Sequence, residues 1–501
     1  MTLVNEKNVS KTKNSENNFE ETMNALDDIL ADDNTEQQIE LEIQRNLMKN
    51  QIQEMNTILQ IYDDPEKTEQ LQNTCRLVKY NFKNEKSLRT QLVQNHGVIP
   101  MVEIIQTNNQ KLLELALPFI STACKGQPDT QTSLCLFGVL PYLFNYVVQP
   151  EFSETIQIKS LKILHSICIS QKKPVQMFIS AGGLTKLAQV FENFPHEKRP
   201  RLTELIIDII DAVFTFPCRT PKSCFSRILA QSDIIKHLGA RYVALPKDSP
   251  YLDKLCRIFE TFSKGNIVVK RKMAEDKKFI DNLFTKAKYK YQKSGTSCNG
   301  LNDWNLFLII QTVNNLAMDK GIVQLLWNTN LIQYLLEYLQ IDKKNIEQFH
   351  MNPTLSTCFS AVFHLSRVLT SDCVPKISPL IPLLNHILMK DLPMKEMATT
   401  LLLEFINTHS SVKQMRIRLE QNDCVSTLFE LFKNNPHKDQ ILMAFEEWAS
   451  HNPQIIDSFF IKKRKPFARI LVNIFTNESY PVQNQVALKL IGLCDKCKNL
   501  A

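Results

Sequence analysis

The fold class that the sequence predicts is all-α: a right-handed armadillo/HEAT-type α-solenoid of about eight to nine repeats. Three observations predict it. Of 501 residues only 11 are glycine, while 44% are hydrophobic and 22% charged, a balance that favours helices over strands and turns. Beyond residue 70 one pattern recurs: a turn-like or polar residue, an aliphatic two positions on, and another apolar residue three after that. It starts at Gly97, Gly138, Gly182, Ser232, Lys278, Asn330, Pro375, Asp423 and Lys465, with offsets between 41 and 52 residues. A helical pattern repeated in the forties is the mark of helices stacked as an array, in which each unit buries its apolar face only on its neighbours.

Taken in chain order, residues 1–34 are polar and acidic, so a disordered tail is expected there. Within it Phe19, Met23, Leu26 and Leu30 recur at helical spacing among acidic residues. Residues 35–70 should form a capping helix or short coiled coil, with Met48, Ile52, Met55 and Leu59 in a 4-3-4 stripe and Asp64-Pro65 as its stop. The solenoid then occupies 71–501. Glycine at 97, 138 and 182 suits a sharp break between a short first helix and a second, where left-handed backbone is needed. Proline behind it, as in Ile99-Pro100 and Leu140-Pro141, costs no hydrogen bond in a helix's first turn. A longer third helix follows, for example over 112–124 and 156–168.

Charge is unevenly spread. Residues 1–70 hold 16 acidic and 6 basic residues, a balance of −10, which leaves +17 on the rest of a chain whose net charge is +7. Between 264 and 293 there are 10 Lys/Arg against 3 Asp/Glu. This segment, with the turn-rich residues to 300, reads as a basic insert: a basic helix and then a flexible loop. A second basic knot runs from Lys462 to Lys465. Lys270, Arg271, Lys272, Lys277, Lys278, Lys462, Lys463 and Arg464 are therefore the candidate partner-binding residues, for acidic or phosphorylated protein segments. Nucleic acid is disfavoured, because base-stacking aromatics beyond Tyr289 and Tyr291 are missing from the basic segment.

Candidate chemistry is sparse. The chain lacks the glycine loop, His-Arg-Asp and Asp-Phe-Gly strings of a protein kinase, and also a Walker loop, a Gly-x-Ser-x-Gly elbow and His-Glu-x-x-His. The expectation is no catalytic residue, no metal and no cofactor. Cys494 and Cys497 have zinc half-site spacing, but a second ligand pair is missing. The other cysteines, such as Cys124, Cys168, Cys256 and Cys358, sit in apolar runs as buried thiols would in a reducing compartment. With no apolar leader, and with the longest apolar run (202–216) broken by Glu204, Asp208 and Asp211, a cytoplasmic protein without a membrane span is expected. Trp448 and Asn452 reproduce once the Trp-x-x-x-Asn spacing of importin-type peptide grooves, and a buried aromatic is the expected role for Trp448. Trp304 and Trp327 lack the asparagine. Oligomeric state is not legible.

Several strings resemble one family, the non-catalytic region of septation-initiation and mitotic-exit kinases and of the MAP kinase kinase kinase epsilon group. Val175 to Leu184, containing Gln176, Met177, Phe178, Gly182 and Gly183, is similar to that family's Leu-Gln-Met-Phe-Ile-x-x-Gly-Gly stretch. Thr220-Pro221-Lys222 with Phe225 and Arg227-Ile228 resembles its Thr-Pro-Arg-x-x-Phe-x-Arg-Ile segment. Leu134-Cys135-Leu136 before Gly138, and His96-Gly97 before Ile99-Pro100, resemble two further junctions. The likeness spans roughly residues 70–245. It implies a regulatory or localising domain of a kinase pathway in cytokinesis and mitotic exit, at the spindle pole or division site, with the kinase domain itself missing from this chain. The alternatives are a stand-alone binding scaffold, the C-terminal part of a serine/threonine kinase, and an importin-like cargo adaptor.

Overall fold

The structure is a computed structural model. It describes residues 38–497 apart from 195–198, 218–221, 287–288, 293–294, 299–302, 342–351, 391–393, 435–437 and the single positions 232, 247, 328 and 369. The acidic tail expected over 1–34 lies outside the described residues, as do Thr220 and Pro221. The chain divides into two compact units, Met1–Cys218 and Arg219–Ala501. Each is built of the expected triplet: a short first helix, a second helix, and a longer third.

In the first unit, residues 38–61 form a helix and Thr68–Asn84 another. Met48 and Met55 are buried as expected, but the inward stripe continues through Gln51, Ile58 and Ile61 while Ile52 and Leu59 are only half-buried. Three complete triplets follow: Lys86–Gln91, Val98–Gln106 and Gln110–Cys124; Pro128–Leu136, Leu140–Val148 and Glu154–Cys168; Lys172–Ser180, Gly183–Asn193 and Pro200–Thr215. Successive third helices pack on one another from Thr68–Asn84 to Pro200–Thr215, and second helices pack on second helices. Caps start the third helices: Asn109 accepts the N–H of Leu112 at 3.1 Å, and Ser153 caps Glu154–Cys168 in the same way.

The junctions show why two adjacent glycines are needed. Gly182 has φ 81° and ends the first helix in the left-handed region, donating to Ile179 O at 3.0 Å. Gly183 is already helical, and a Cβ there would stand 2.5 Å from the ring of Phe178. That ring is fully buried and meets Phe144 edge-on at 5.6 Å. Gly138 repeats the left-handed turn with φ 76°. At the first junction the left-handed residue is His96 (φ 60°), not Gly97 (φ −68°). Gly97 is kept small instead by Met48 and Leu92, whose side chains crowd its Cβ direction.

In the second unit the triplets run Lys222–Leu229, Ile234–Ala244 and Pro250–Ser263; Ile267–Glu275, Lys277–Thr285 and Asp303–Ala317; Lys320–Trp327, Leu331–Ile341 and Pro353–Ser366; Val374–Ile377, Ile381–Met389 and Lys395–His409; Lys413–Gln421, Cys424–Asn434 and Lys438–His451. A single long helix, Pro453–Asn477, and a last helix, Tyr480–Lys496, follow. Here too the third helices stack in sequence.

Three expectations need correction. The pattern assigned to Pro375 falls in the first helix, and the second begins at Ile381 with Pro382 in its first turn. Around Lys465 there is no junction, because the helix runs on through Pro466. The basic stretch is not one inserted helix. It supplies the first and second helices of an ordinary repeat, with Val269, Met273, Phe279, Ile280 and Leu283 in the core. Tyr289–Gln292, expected within the basic helix, and Gly295–Cys298, expected in the loop, pair as antiparallel strands, Tyr289 opposite Cys298.

No single helix among the described residues is long and apolar enough to cross a membrane. Cys124, Cys168, Cys256 and Cys358 are fully buried, and burial pushes the thiols of Cys75, Cys124, Cys135 and Cys424 up to about 12.

Candidate protein-binding site

The third helices of the second unit carry a polar row. On Asp303–Ala317, Pro353–Ser366 and Lys395–His409 the apolar stripe packs the core, and Val313, Val362 and Phe405 are fully buried. Two residues beyond each comes Asn315, His364 and Asn407 respectively. Each follows the core residue by two positions on one of three consecutive stacked third helices.

The row is anchored at one end. Gln311 Nε2 donates to Asn315 Oδ1 at 2.9 Å, and Asn315 Nδ2 donates across to Ser263 Oγ of the preceding third helix, also at 2.9 Å. Further along, Nδ1 of His364 and Oδ1 of Asn407 are buried without a hydrogen-bond partner among the described residues, as is Oδ1 of the neighbouring Asn314. Each such atom costs about 1–3 kcal/mol while unpaired. Burial first, and Arg367 second, lower the pKa of His364, so the ring favours its neutral form, in which one nitrogen donates and the other accepts.

Aromatic surface borders the row. Trp304 is 58% exposed and lies against Phe307, ring centroids 5.5 Å apart. Trp304, Phe307, Gln311 and Asn315 share one helix face at i, i+3, i+7 and i+11. The third helices of the first unit are charged instead. Lys159 lies near enough to Lys162 and Lys79 that, after burial, their like charges lower its pKa. Glu204 and Asp208 line the following helix half-buried.

The residues singled out from the sequence lie elsewhere. Arg271, Lys277 and Lys278 are exposed and Lys270 and Lys272 half-buried, all on first or second helices. Lys462, Lys463 and Arg464 are exposed on Pro453–Asn477. Among the described residues none of these eight forms an ion pair, and three repeats separate the two groups, so they do not make one patch. Of the family-matched residues, Gln176 is exposed, Met177 half-buried, Phe178 and Phe225 buried, and Arg227 exposed. The first three with Gly182 and Gly183 form one junction, a matter of packing.

Trp448 takes the expected role of a buried aromatic. Its Nε1–H is without a partner among the described residues, and Asn452 donates to Glu420 at 2.9 Å. Trp327 is also inside, donating to Leu365 O at 3.1 Å. The exposed one is Trp304, and the spacing to Gln311 and Asn315 was the signal for it. The adjacent Glu446 and Glu447 point apart: Glu446 meets Lys489 and Lys496, and Glu447 meets His451. Cys494 and Cys497 share the last helix end without a third ligand among the described residues.

No family model matches the chain. Over 426 residues it is 21% identical to cytokinesis protein sepH of Aspergillus terreus, a match covering 83% of this chain and 30% of that protein. It is 24% identical over 194 residues to MAP3K epsilon protein kinase 1 of Brassica napus, covering 38% of this chain and 15% of the kinase. The chain is a relative of both. The resemblance read from the repeat junctions is thus shown over part of these proteins, and the chain spans less than a third of the length of either. A chain from a structure of the phosphorylation-controlled interaction between cadherin and beta-catenin superposes with a TM-score of 0.50, covering 86% of this chain and 82% of that one at 11% identity. That likeness is one of fold: an all-α solenoid.

Proposed function

We propose that this chain is a non-catalytic protein-binding module of cytokinesis or mitotic-exit signalling, and that the third-helix face of its second unit holds extended segments of partner proteins. The observation that carries the reading is the set of polar residues Asn315, His364 and Asn407 on consecutive third helices, with exposed Trp304 about three turns before Asn315 on the same helix face. The relationship to a cytokinesis protein supports the pathway. The basic residues at 270–278 and 462–464 are secondary partner surfaces for acidic or phosphorylated segments.

The test is a photo-crosslinking amino acid placed at Gln311 or Thr408 of the full chain in dividing cells. Partner peptides should be captured from both positions, and His364→Leu with Asn407→Leu should reduce capture at least tenfold. Capture unaffected by the double substitution would sink the groove. A second reading, the regulatory portion of a serine/threonine kinase, is favoured by the short share of the related kinase that this chain spans. An in-frame kinase domain in the DNA upstream of Met1 would establish it, and uninterrupted non-coding sequence there would remove it.

A further inference from the structure

The last two described helices share rows of exposed apolar side chains. On Pro453–Asn477 the buried side is Ile456, Phe460, Phe467 and Ile474, and on Tyr480–Lys496 it is Val486 and Leu493. Ring contacts hold the long helix in place: Phe460 meets Phe445 at 5.1 Å and Phe467 at 4.6 Å, and Phe467 meets Phe432 at 5.7 Å. Outside that packing, Ile461, Val472, Phe475, Tyr480, Leu488 and Ile491 are between 42% and 78% exposed. On the long helix Ile461, Ala468, Val472 and Phe475 fall at i, i+7, i+11 and i+14, a continuous stripe. On the last helix Tyr480, Ala487 and Ile491 fall at i, i+7 and i+11, with Leu488 beside them. Both helices pack on Lys438–His451. Gln483 Nε2 ties them to each other, donating to Phe475 O at 3.2 Å and Glu478 O at 2.8 Å, so the two form one layer.

Length and charge say what covers that layer. The stripe from Ile461 to Phe475 runs about 21 Å, the length of a helix of about four turns, and side-chain rows on neighbouring helices leave grooves that a further helix fills. A basic edge lies beside it. Arg464 and Lys465 stand three and four residues after Ile461, and Arg469 stands three before Val472, on adjoining turns of the same helix. These three, with Lys462 and Lys463, are exposed, and among the described residues none of them forms an ion pair. Two copies of this face would set like charge against like. An anionic membrane would meet exposed Asp495, one turn beyond Ile491, as well as the cations. The complement is a helix whose apolar face fills the groove while its other face brings carboxylates to the basic edge.

We propose that the layer of Pro453–Asn477 and Tyr480–Lys496 binds an amphipathic helix of a separate protein, apolar on one face and acidic on the other. The proposal rests on the reading of Lys462, Lys463 and Arg464 as a surface for acidic segments, and adds the segment's helical conformation and its apolar anchor. It uses none of Asn315, His364 and Asn407.

The experiment is a fluorescence-anisotropy titration of the full chain against three synthetic 18-residue peptides. One has leucines at helical spacing and glutamates on the opposite face, one has the same composition in scrambled order, and one has lysine in place of each glutamate. The first should bind at least tenfold more tightly than either of the others, and more weakly as salt screens the charges. Lys462→Glu with Arg464→Glu and Lys465→Glu should weaken it at least tenfold, as should Leu488→Gln with Ile491→Gln. Should those variants unfold, the three-peptide comparison on the unaltered chain still decides. Equal binding of the first and scrambled peptides overturns the helix and leaves the acidic-segment reading standing, whereas binding of neither removes both. Equal binding of the lysine peptide, or binding indifferent to both sets of substitutions, also overturns the proposal. So does a dimer, seen by sedimentation equilibrium, that Leu488→Gln with Ile491→Gln dissociates, which would assign the face to a second copy. Co-sedimentation with phosphatidylserine vesicles that the same pair abolishes would assign it to a membrane and overturn it too.

Discussion

The junction at Gly182 and the helix running through Pro466 solve the same connection in opposite ways. Between Lys172–Ser180 and Gly183–Asn193 the chain turns on a left-handed glycine. At His96, Gly138 and Asp423 it turns likewise on a residue with φ of 60°, 76° and 48°. In the last repeat a proline stands where the second helix should start, yet no residue of positive φ precedes it, and one helix of 25 residues runs through it. Proline is therefore compatible with the start of the second helix but does not create it. At four junctions a left-handed residue makes the break and satisfies the last carbonyls of the first helix, whereas between Glu275 and Lys277 the chain turns on Asp276 at φ −81° and ψ 90°.

The largest expected effect breaks the first member of the pair. Gly183→Val pushes a side chain into the Phe178 ring and should cost about 3 kcal/mol, the upper range for overpacking. Chemical denaturation would measure it, and Phe178→Leu in the same chain should recover part of the loss. Next, Pro466→Ala should stabilise the second member by about 2 kcal/mol, because alanine restores the N–H missing from a helix interior. A loss of stability there would mean that the proline shapes the helix. Gly182→Ala meets no atom within 4 Å and tests backbone strain alone. It should cost about 1 kcal/mol, while Gly182→Asn should cost less.

The smallest effect lies outside the junctions. Burial lowers the pKa of both His364 and His409 on third helices. Their neutral forms are favoured in the folded state, so the unfolded chain binds more protons as pH falls. The stability they contribute is present above the ordinary histidine value of about 6.5 and fades as pH drops through the lowered ones. Thermal midpoints at pH 7 and pH 5.5 should fall closer together in His364→Gln with His409→Gln than in the unaltered chain.

The array was legible because apolar spacing and turn residues act locally. Seven of the nine repeat starts read from the sequence fall within two residues of the start of a second helix; Lys465 marks no junction, and the miss at Pro375 was avoidable. Leu380-Ile381-Pro382-Leu383 repeats Val139-Leu140-Pro141-Tyr142 more closely than anything at 375 does. The polar row was not legible. Asn315, His364 and Asn407 differ in type, and offsets in the second unit vary, so their equivalence depends on which apolar residues are buried. The burial of Trp448 was legible, because its Trp-x-x-x-Asn spacing occurs once and not as an array.

The buried thiols have a use as well as a place. Cys75, Cys124, Cys135, Cys168, Cys256, Cys358, Cys424 and Cys497 are buried at intervals along both units, while Cys224 is exposed. A thiol reagent should mark Cys224 at once and each of the others only when its own repeat opens. The chain thereby carries a built-in set of clocks, from which the order in which repeats open under load or on ligand release can be timed one cysteine at a time.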